Sequence, residues 1–112
     1  MIRSSKSGGM ERTQHEPFTK IRYRSNVTFE EMCELAANRK REMPEGSSTA
    51  ELFRGGAHAI GKKLVEEAAE SWMAARFESQ DALALELSQV LYYVACMMAE
   101  KDITLEEVYA AL

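Results

Sequence analysis

Three glutamates are spaced so that they could share one cation. Glu67 and Glu70 lie three positions apart, and Glu86 stands in a later segment with a similar helical pattern. Residues three apart on a helix lie on the same side, so the first two carboxylates point in one direction. Carboxylates that converge on a packed seam repel one another and need protons, cationic partners or a metal ion. Magnesium suits them, because it takes oxygen ligands and is often completed by substrate phosphates.

Basic residues stand about one helical turn before the first two acids. Lys62 and Lys63 could balance the negative charge or hold phosphate oxygens. The same spacing permits a simpler interpretation, in which Glu66, Glu67 and Glu70 pair with the two lysines on a solvated helix face. A site is favoured because acids on two separate segments both border apolar stripes.

The acids lie in two long segments with helical periodicity, from about residue 57 to 77 and from about 81 to 100. Each segment has an apolar stripe with an acid at its edge, at about 100° per residue. The predicted stripe residues are Ile60, Leu64, Ala68 and Trp72 in the first segment and Leu83, Leu87, Val90, Val94 and Met97 in the second. Packing along these stripes would bring Glu67, Glu70 and Glu86 together.

Capping patterns of the form Ser/Thr-x-x-Glu predict further helix starts. They are Thr28 with Glu31, Ser48 with Glu51, and Thr104 with Glu107. In this pattern the hydroxyl and the glutamate each accept a backbone N–H of the first turn. Pro44-Glu45-Gly46 and Gly55-Gly56 end the first two helices, and Ser79 or Asp81 caps the second long helix. We therefore predict an all-α fold, a helical hairpin with flanking helices.

Length and charge narrow the class of protein. The chain has 112 residues, 46% of them hydrophobic, and a net charge of −4, which indicates one soluble domain and no nucleic-acid partner. Residues 1–26 are polar and lack an apolar period, so we expect a flexible tail before a domain over residues 27–112. The longest apolar run, residues 90–99, is about half the ~20 residues of a membrane span. Cys33 and Cys96 form no metal or disulfide pattern, which favours the cytoplasm.

A core this small predicts a homo-oligomer. Both long segments are apolar over broad arcs, and the surplus includes Val90, Leu91, Val94 and Met98. Such surface is usually buried against a symmetric partner. We expect a homodimer at least.

Four ordered stretches resemble the phosphoribosyl-ATP pyrophosphohydrolases. They are Thr28-Phe29-Glu30-Glu31, the stretch from Arg39 to Thr49, the stretch from Lys62 to Glu70, and Ile103 to Tyr109. The resemblance implies an all-α nucleoside-triphosphate pyrophosphohydrolase fold and a homodimer or larger assembly. It further implies a nucleotide-binding enzyme of histidine biosynthesis, which uses magnesium to cleave phosphoribosyl-ATP into phosphoribosyl-AMP and pyrophosphate.

The resemblance also assigns roles to individual residues. Glu66, Glu67 and Glu70 match the Glu-Glu-x-x-Glu pattern of the family, and Glu86 matches the glutamate of its Glu-x-x-Asp pattern. These four are the predicted catalytic residues, with Glu66 as ligand or water-orienting base. Gln89 replaces the usual aspartate, and its amide oxygen can bind magnesium without adding charge. The implied metal ligands are Glu67, Glu70, Glu86 and Gln89.

Six residues are candidates for substrate binding. They are Arg39, Arg41, His58, Lys62, Lys63 and Tyr93. The basic residues could contact phosphate, and His58 could contact substrate near a helix start. Tyr93 stands where the family that the chain resembles commonly has histidine, and its ring could stack on a base. Exposed surface positions for the basic residues and a core position for the tyrosine are the structural alternatives.

Two other functions share part of this pattern. A house-cleaning pyrophosphohydrolase for non-standard nucleotides would carry the acids but not the resemblance from Arg39 to Thr49 and at Lys62-Lys63. A non-catalytic helical interaction module would carry the helices with a site that has decayed at Gln89.

Overall fold

The computed structural model describes residues 27–112, which form five helices. The helices are α1 (Phe29–Glu42), α2 (Ser48–Arg54), α3 (Gly56–Phe77), α4 (Gln80–Lys101) and α5 (Leu105–Ala110). No β-strand occurs in this range, so the predicted all-α class is confirmed. The expected flexible tail, residues 1–26, lies outside the described residues.

Helices α3 and α4 form the predicted antiparallel hairpin. Only Glu78 and Ser79 separate them, and the Ser79 hydroxyl accepts the Ala82 backbone N–H at 3.1 Å as the cap of α4. Each helix has 22 residues and so is about 33 Å long. The hairpin is therefore the scaffold that sets the relative positions of the acids.

Helices α1 and α2 pack on the hairpin and close one core. The buried cluster contains Met32, Ala36, Phe53, Ile60, Tyr92, Ala95 and Cys96. Polar contacts fix both helices at its edge. The Lys40 ammonium donates to the carbonyl oxygens of Ala99 at 3.2 Å and Glu100 at 3.1 Å, and the Thr49 and Tyr92 hydroxyls lie 2.5 Å apart.

The capping boxes at Thr28 and Thr104 are confirmed, but the predicted cap at Ser48 is wrong by one residue. The cap of α2 is Ser47, whose hydroxyl accepts the Ala50 N–H at 3.1 Å. Gly46 has φ +79°, so the chain turns immediately before Ser47 and leaves that residue extended. The glycine therefore decides which of the two serines caps the helix, and the capping pattern alone does not include that glycine.

The predicted stripe on α3 has the wrong orientation. Ile60, Ser71 and Ala74 are buried, whereas Trp72 is 69% exposed. Each four-residue step advances about 40° around a helix, so Trp72 lies about 120° from Ile60, while Ser71 lies about 20° from it. The predicted stripe therefore rotates away from the face of α3 that packs on α4. Glu67, about 20° from Ile60, stays on that face.

The predicted stripe on α4 is also not the buried face. The residues buried there are Gln89, Tyr92, Ala95, Cys96 and Met98, whereas Leu83, Val90, Val94 and Met97 are half-buried and Leu87 is 47% exposed. Because α4 is apolar around most of its circumference, periodicity cannot select its inner face. The burial of Met98 within the chain also corrects its expected place in a partner interface.

Helix α4 is long and apolar enough, by length and composition alone, to cross a membrane. The core helix of a soluble protein passes the same test. Here α4 packs against both α1 and α3 and contributes Tyr92, Ala95 and Cys96 to the core. Its packing favours the interpretation as a core helix.

Candidate metal centre

The hairpin brings Glu67 and Glu70 of α3 together with Glu86 of α4. One carboxylate oxygen from each residue lies within 4.8 Å of those of the other two. Glu67 and Glu86 are half-buried and Glu70 is exposed, so the cluster lies at the edge of the seam, open to solvent on one side. Within residues 27–112, no other group of three acidic, histidine or cysteine side chains converges in this way.

The pKa of Glu86 is raised, first by burial and then by the neighbouring acids of this cluster. Burial, then a hydrogen bond with the Glu67 carboxyl and the negative charges of Glu67 and Glu70, raises the pKa of Glu86 to about 7. A carboxyl group with so high a pKa retains its proton over part of the neutral range. A divalent cation would favour the ionised form of Glu86 against both burial and repulsion, so the electrostatics as well as the geometry fit a metal site.

The separation of the oxygens is compatible with magnesium. Octahedral ligands at 2.0–2.1 Å from the ion lie roughly 3 Å apart when adjacent, so carboxylates now within 4.8 Å of one another need only small side-chain rotations. Three carboxylates leave coordination positions for water and phosphate oxygens, as magnesium sites usually do. The assignment of these residues as metal ligands remains a prediction.

Gln89 follows Glu86 by one helical turn and is 7% exposed. Its Nε2 atom is buried without a hydrogen-bond partner. Most buried polar atoms in folded proteins are paired, so this amide stands out in the described chain. Its role as an oxygen ligand for the metal stays a prediction.

Lys63 lies in the groove between the two long helices. Its ammonium is 3.6 Å from the Glu66 carboxylate and 6.0 Å from the centroid of the Tyr93 ring. Glu66 is exposed and is not part of the converging group, so it behaves as one half of a surface ion pair. Tyr93 is half-buried and meets Tyr92 edge-to-face, with ring centroids 5.4 Å apart.

The other candidate substrate-binding residues lie farther from the cluster. His58 and Lys62 are exposed and line a shallow groove on α3 with Val65 and Glu66. Lys62 lies about 140° around the helix from Glu67, so it faces away from the seam. The structure therefore separates Lys62 from Lys63, although the two are adjacent in sequence.

Arg39 and Arg41 occupy the last turn of α1. Arg41 donates to the Asn38 side chain. Arg39 is close enough to Tyr92 for its charge to act on the phenol, although burial dominates and raises the pKa of Tyr92 to about 12.

Sequence reasoning missed the Thr49–Tyr92 contact and the role of Lys40. Thr49 ends one of the stretches that carry the family resemblance, which is the only sequence signal for it.

The fold and the site define an all-α protein whose helical hairpin carries an acidic candidate metal centre. Comparison with known proteins identifies the family. The family model for phosphoribosyl-ATP pyrophosphohydrolase matches residues 29–112. Two proteins named phosphoribosyl-ATP pyrophosphatase, from Streptomyces avermitilis and Streptomyces coelicolor, are each 54% identical over 89 residues, which cover 79% of this chain and 99% of the relative.

The chain belongs to the phosphoribosyl-ATP pyrophosphohydrolase family. This confirms the resemblance predicted from the sequence and the expectation of an enzyme. Neither the house-cleaning alternative nor the non-catalytic module is supported by these matches.

Proposed function

We propose that the protein hydrolyses phosphoribosyl-ATP to phosphoribosyl-AMP and pyrophosphate, the second step of histidine biosynthesis, in the cytoplasm. Magnesium would be held by Glu67, Glu70, Glu86 and, through its amide oxygen, Gln89. The observation that carries the proposal is the convergence of three carboxylates within 4.8 Å at positions that match the acidic pattern of the family. The names of the two Streptomyces relatives support the choice of substrate.

The reaction adds water across the bond between the α- and β-phosphates and releases pyrophosphate. Magnesium, when bound, supplies positive charge that offsets the negative charge developing on the phosphate oxygens. Glu67 and Glu86, on opposite helices, would hold the metal together with Glu70. Lys63 would contact a phosphate oxygen. Glu66, whose carboxylate lies 3.6 Å from the Lys63 ammonium, would orient the attacking water.

The test is to measure pyrophosphate release with magnesium and either phosphoribosyl-ATP or a panel of nucleoside triphosphates. We expect turnover of phosphoribosyl-ATP in preference to the panel, and none after magnesium is chelated. Preference for non-standard nucleotides would support the house-cleaning function, and absence of turnover with every substrate would contradict both.

The cytoplasmic assignment rests on the thiols. Cys33 and Cys96 are both free, and burial raises the pKa of Cys96 to about 12. A buried thiol of this kind is unreactive and suits a reducing compartment.

The proposed assembly is a homodimer or larger oligomer. Large apolar side chains remain exposed on both long helices, namely Val65, Trp72, Met73 and Phe77 on α3 and Leu87 and Leu91 on α4. A patch of this kind is usually covered by another protein surface. We expect sedimentation at micromolar concentration to show an oligomer, and Leu91→Glu to weaken it more than Glu34→Lys, an exposed change on α1. A stable monomer of the parent protein would contradict the proposal.

A further inference from the structure

Two polar side chains are buried in the part of the chain that the structure describes, and they differ in one respect. Ser71 is 8% exposed and donates its hydroxyl to the Glu67 carbonyl at 2.9 Å. Gln89 is 7% exposed, and its Nε2 atom has no partner. A buried donor without an acceptor destabilises the fold. No contact within residues 27–112 compensates the Gln89 amide nitrogen for the hydrogen bonds to water that it loses on burial.

The position of Gln89 indicates where an acceptor would come from. The residue lies three positions after Glu86, which corresponds to about 4.5 Å along α4 and about 60° around it. The carboxylates of Glu86, Glu67 and Glu70 converge on one another within 4.8 Å. The acceptor is therefore missing directly beside the cluster at which a phosphate chain would be held.

We propose that Gln89 is a substrate-binding residue whose buried amide turns toward the cluster when substrate binds, so that its Nε2–H group donates a hydrogen bond to a non-bridging phosphate oxygen. This inference rests on the proposed function, since it requires a phosphate chain at the cluster. An amide offers both an oxygen and an N–H donor, whereas the aspartate of the broader family pattern offers oxygens only. Compared with aspartate, glutamine at this position offers the cation one negative charge less and offers the phosphate one additional hydrogen bond.

The experiment measures binding of inorganic pyrophosphate, the proposed product, by calorimetry and by the shift of the melting temperature, with and without magnesium. Gln89→Met keeps the length of the side chain and removes both polar atoms. Gln89→Glu keeps an oxygen ligand and removes the N–H donor. Ser71→Ala is the matched control, because it removes a buried polar group that is already paired.

We expect Gln89→Met to melt at or above the parent temperature without ligand and to bind pyrophosphate with magnesium roughly tenfold more weakly or worse, as the loss of a hydrogen bond to a charged group implies. Gln89→Glu should bind magnesium alone at least as tightly as the parent but should also lose affinity for pyrophosphate. Ser71→Ala should keep the affinity of the parent for pyrophosphate.

Two results would overturn the inference while leaving the proposed function intact. One is parent-like pyrophosphate affinity in Gln89→Met or Gln89→Glu. The other is a lower melting temperature of ligand-free Gln89→Met, which would mean that the amide is already paired, with water or with another subunit. A parent protein that shows no response to magnesium and pyrophosphate together would instead overturn the metal site, and the inference with it.

Discussion

The two halves of α4 differ in how their polar groups are paired. In the carboxyl-terminal half, the Tyr92 hydroxyl meets Thr49 and the last carbonyls accept from Lys40. In the amino-terminal half, Glu86 is crowded by two other carboxylates and the Gln89 amide nitrogen has no partner. Polar groups in one half are paired within the chain itself, whereas the other half has groups that we propose a cation and a phosphate ligand satisfy.

We expect this difference to separate the groups that stabilise the fold from those that carry the proposed function on a single helix. Paired polar groups at the carboxyl-terminal half hold α1 and α2 against the hairpin. Unpaired groups at the amino-terminal half weaken the ligand-free fold and are the groups that a bound metal and phosphate would stabilise. Substitutions in the two halves should therefore have opposite effects on stability and on activity.

The largest effect is expected at the acidic cluster. Glu67→Gln and Glu86→Gln should each reduce turnover by about two orders of magnitude or more, because each removes a carboxylate proposed to hold the cation. Without metal, both variants should be as stable as the parent or more stable, since a repelling charge is lost. Glu34→Gln, an exposed change on α1, is the control. Near-parent turnover in both cluster variants would instead support the interpretation that these acids form a solvated helix face.

The second effect is a dependence of stability on pH. Because the pKa of Glu86 rises from 4.5 to about 7 on folding, the folded state binds a proton that the unfolded state releases between these values. The resulting stabilisation is complete below about pH 4.5 and is lost as the pH rises to about 7. Denaturant titrations of the metal-free protein should show this decline, and magnesium or Glu86→Gln should flatten it. An unchanged slope in Glu86→Gln would contradict the assignment.

The sequence was sufficient to predict the helices and the acidic cluster. Both depend on local spacing. The residues of a capping box accept backbone N–H groups of the first turn of the same helix, and Glu67 and Glu70 share a side of any helix that contains them. The contact with Glu86 required only that two consecutive helices pack as an antiparallel hairpin. The error of one residue at Ser48 arose because the left-handed Gly46 sets the register of that turn.

The faces of the long helices could not be predicted in the same way. Helix α4 is apolar on several sides, so the buried position of Gln89 depends on where α1 and α3 pack and not on its own periodicity. Trp72 was assigned to the core because it lies on a row of four-residue steps, and such a row rotates out of a straight seam over three turns. The separation of Lys62 from Lys63 has the same origin.

The third effect is a loss of stability without a loss of catalysis. Lys40→Met removes two hydrogen bonds to the carbonyls at the end of α4 and an ion pair with Glu100 at 3.8 Å. We expect the free energy of unfolding to fall by about 1–3 kcal/mol, with the magnesium dependence of turnover unchanged. Lys101→Met, at an exposed neighbouring position, should change neither. A large change in the magnesium response of Lys40→Met would show that the two halves are not independent.

The smallest effect concerns the Thr49–Tyr92 contact, and a double-mutant cycle isolates it. Tyr92→Phe removes the phenol hydroxyl that faces Thr49, and Thr49→Val removes the hydroxyl that faces the phenol, so each should cost about 1 kcal/mol. The double variant removes both groups and should cost little more than one single change, which gives a coupling free energy of about 1 kcal/mol. Pyrophosphate binding should be unchanged in all three, because this contact belongs to the half of α4 that the chain completes itself. If the single variants instead raised KM with little change in the free energy of unfolding, the hydroxyl pair would contact substrate, and the site would extend from the acidic cluster along α4 toward Arg39.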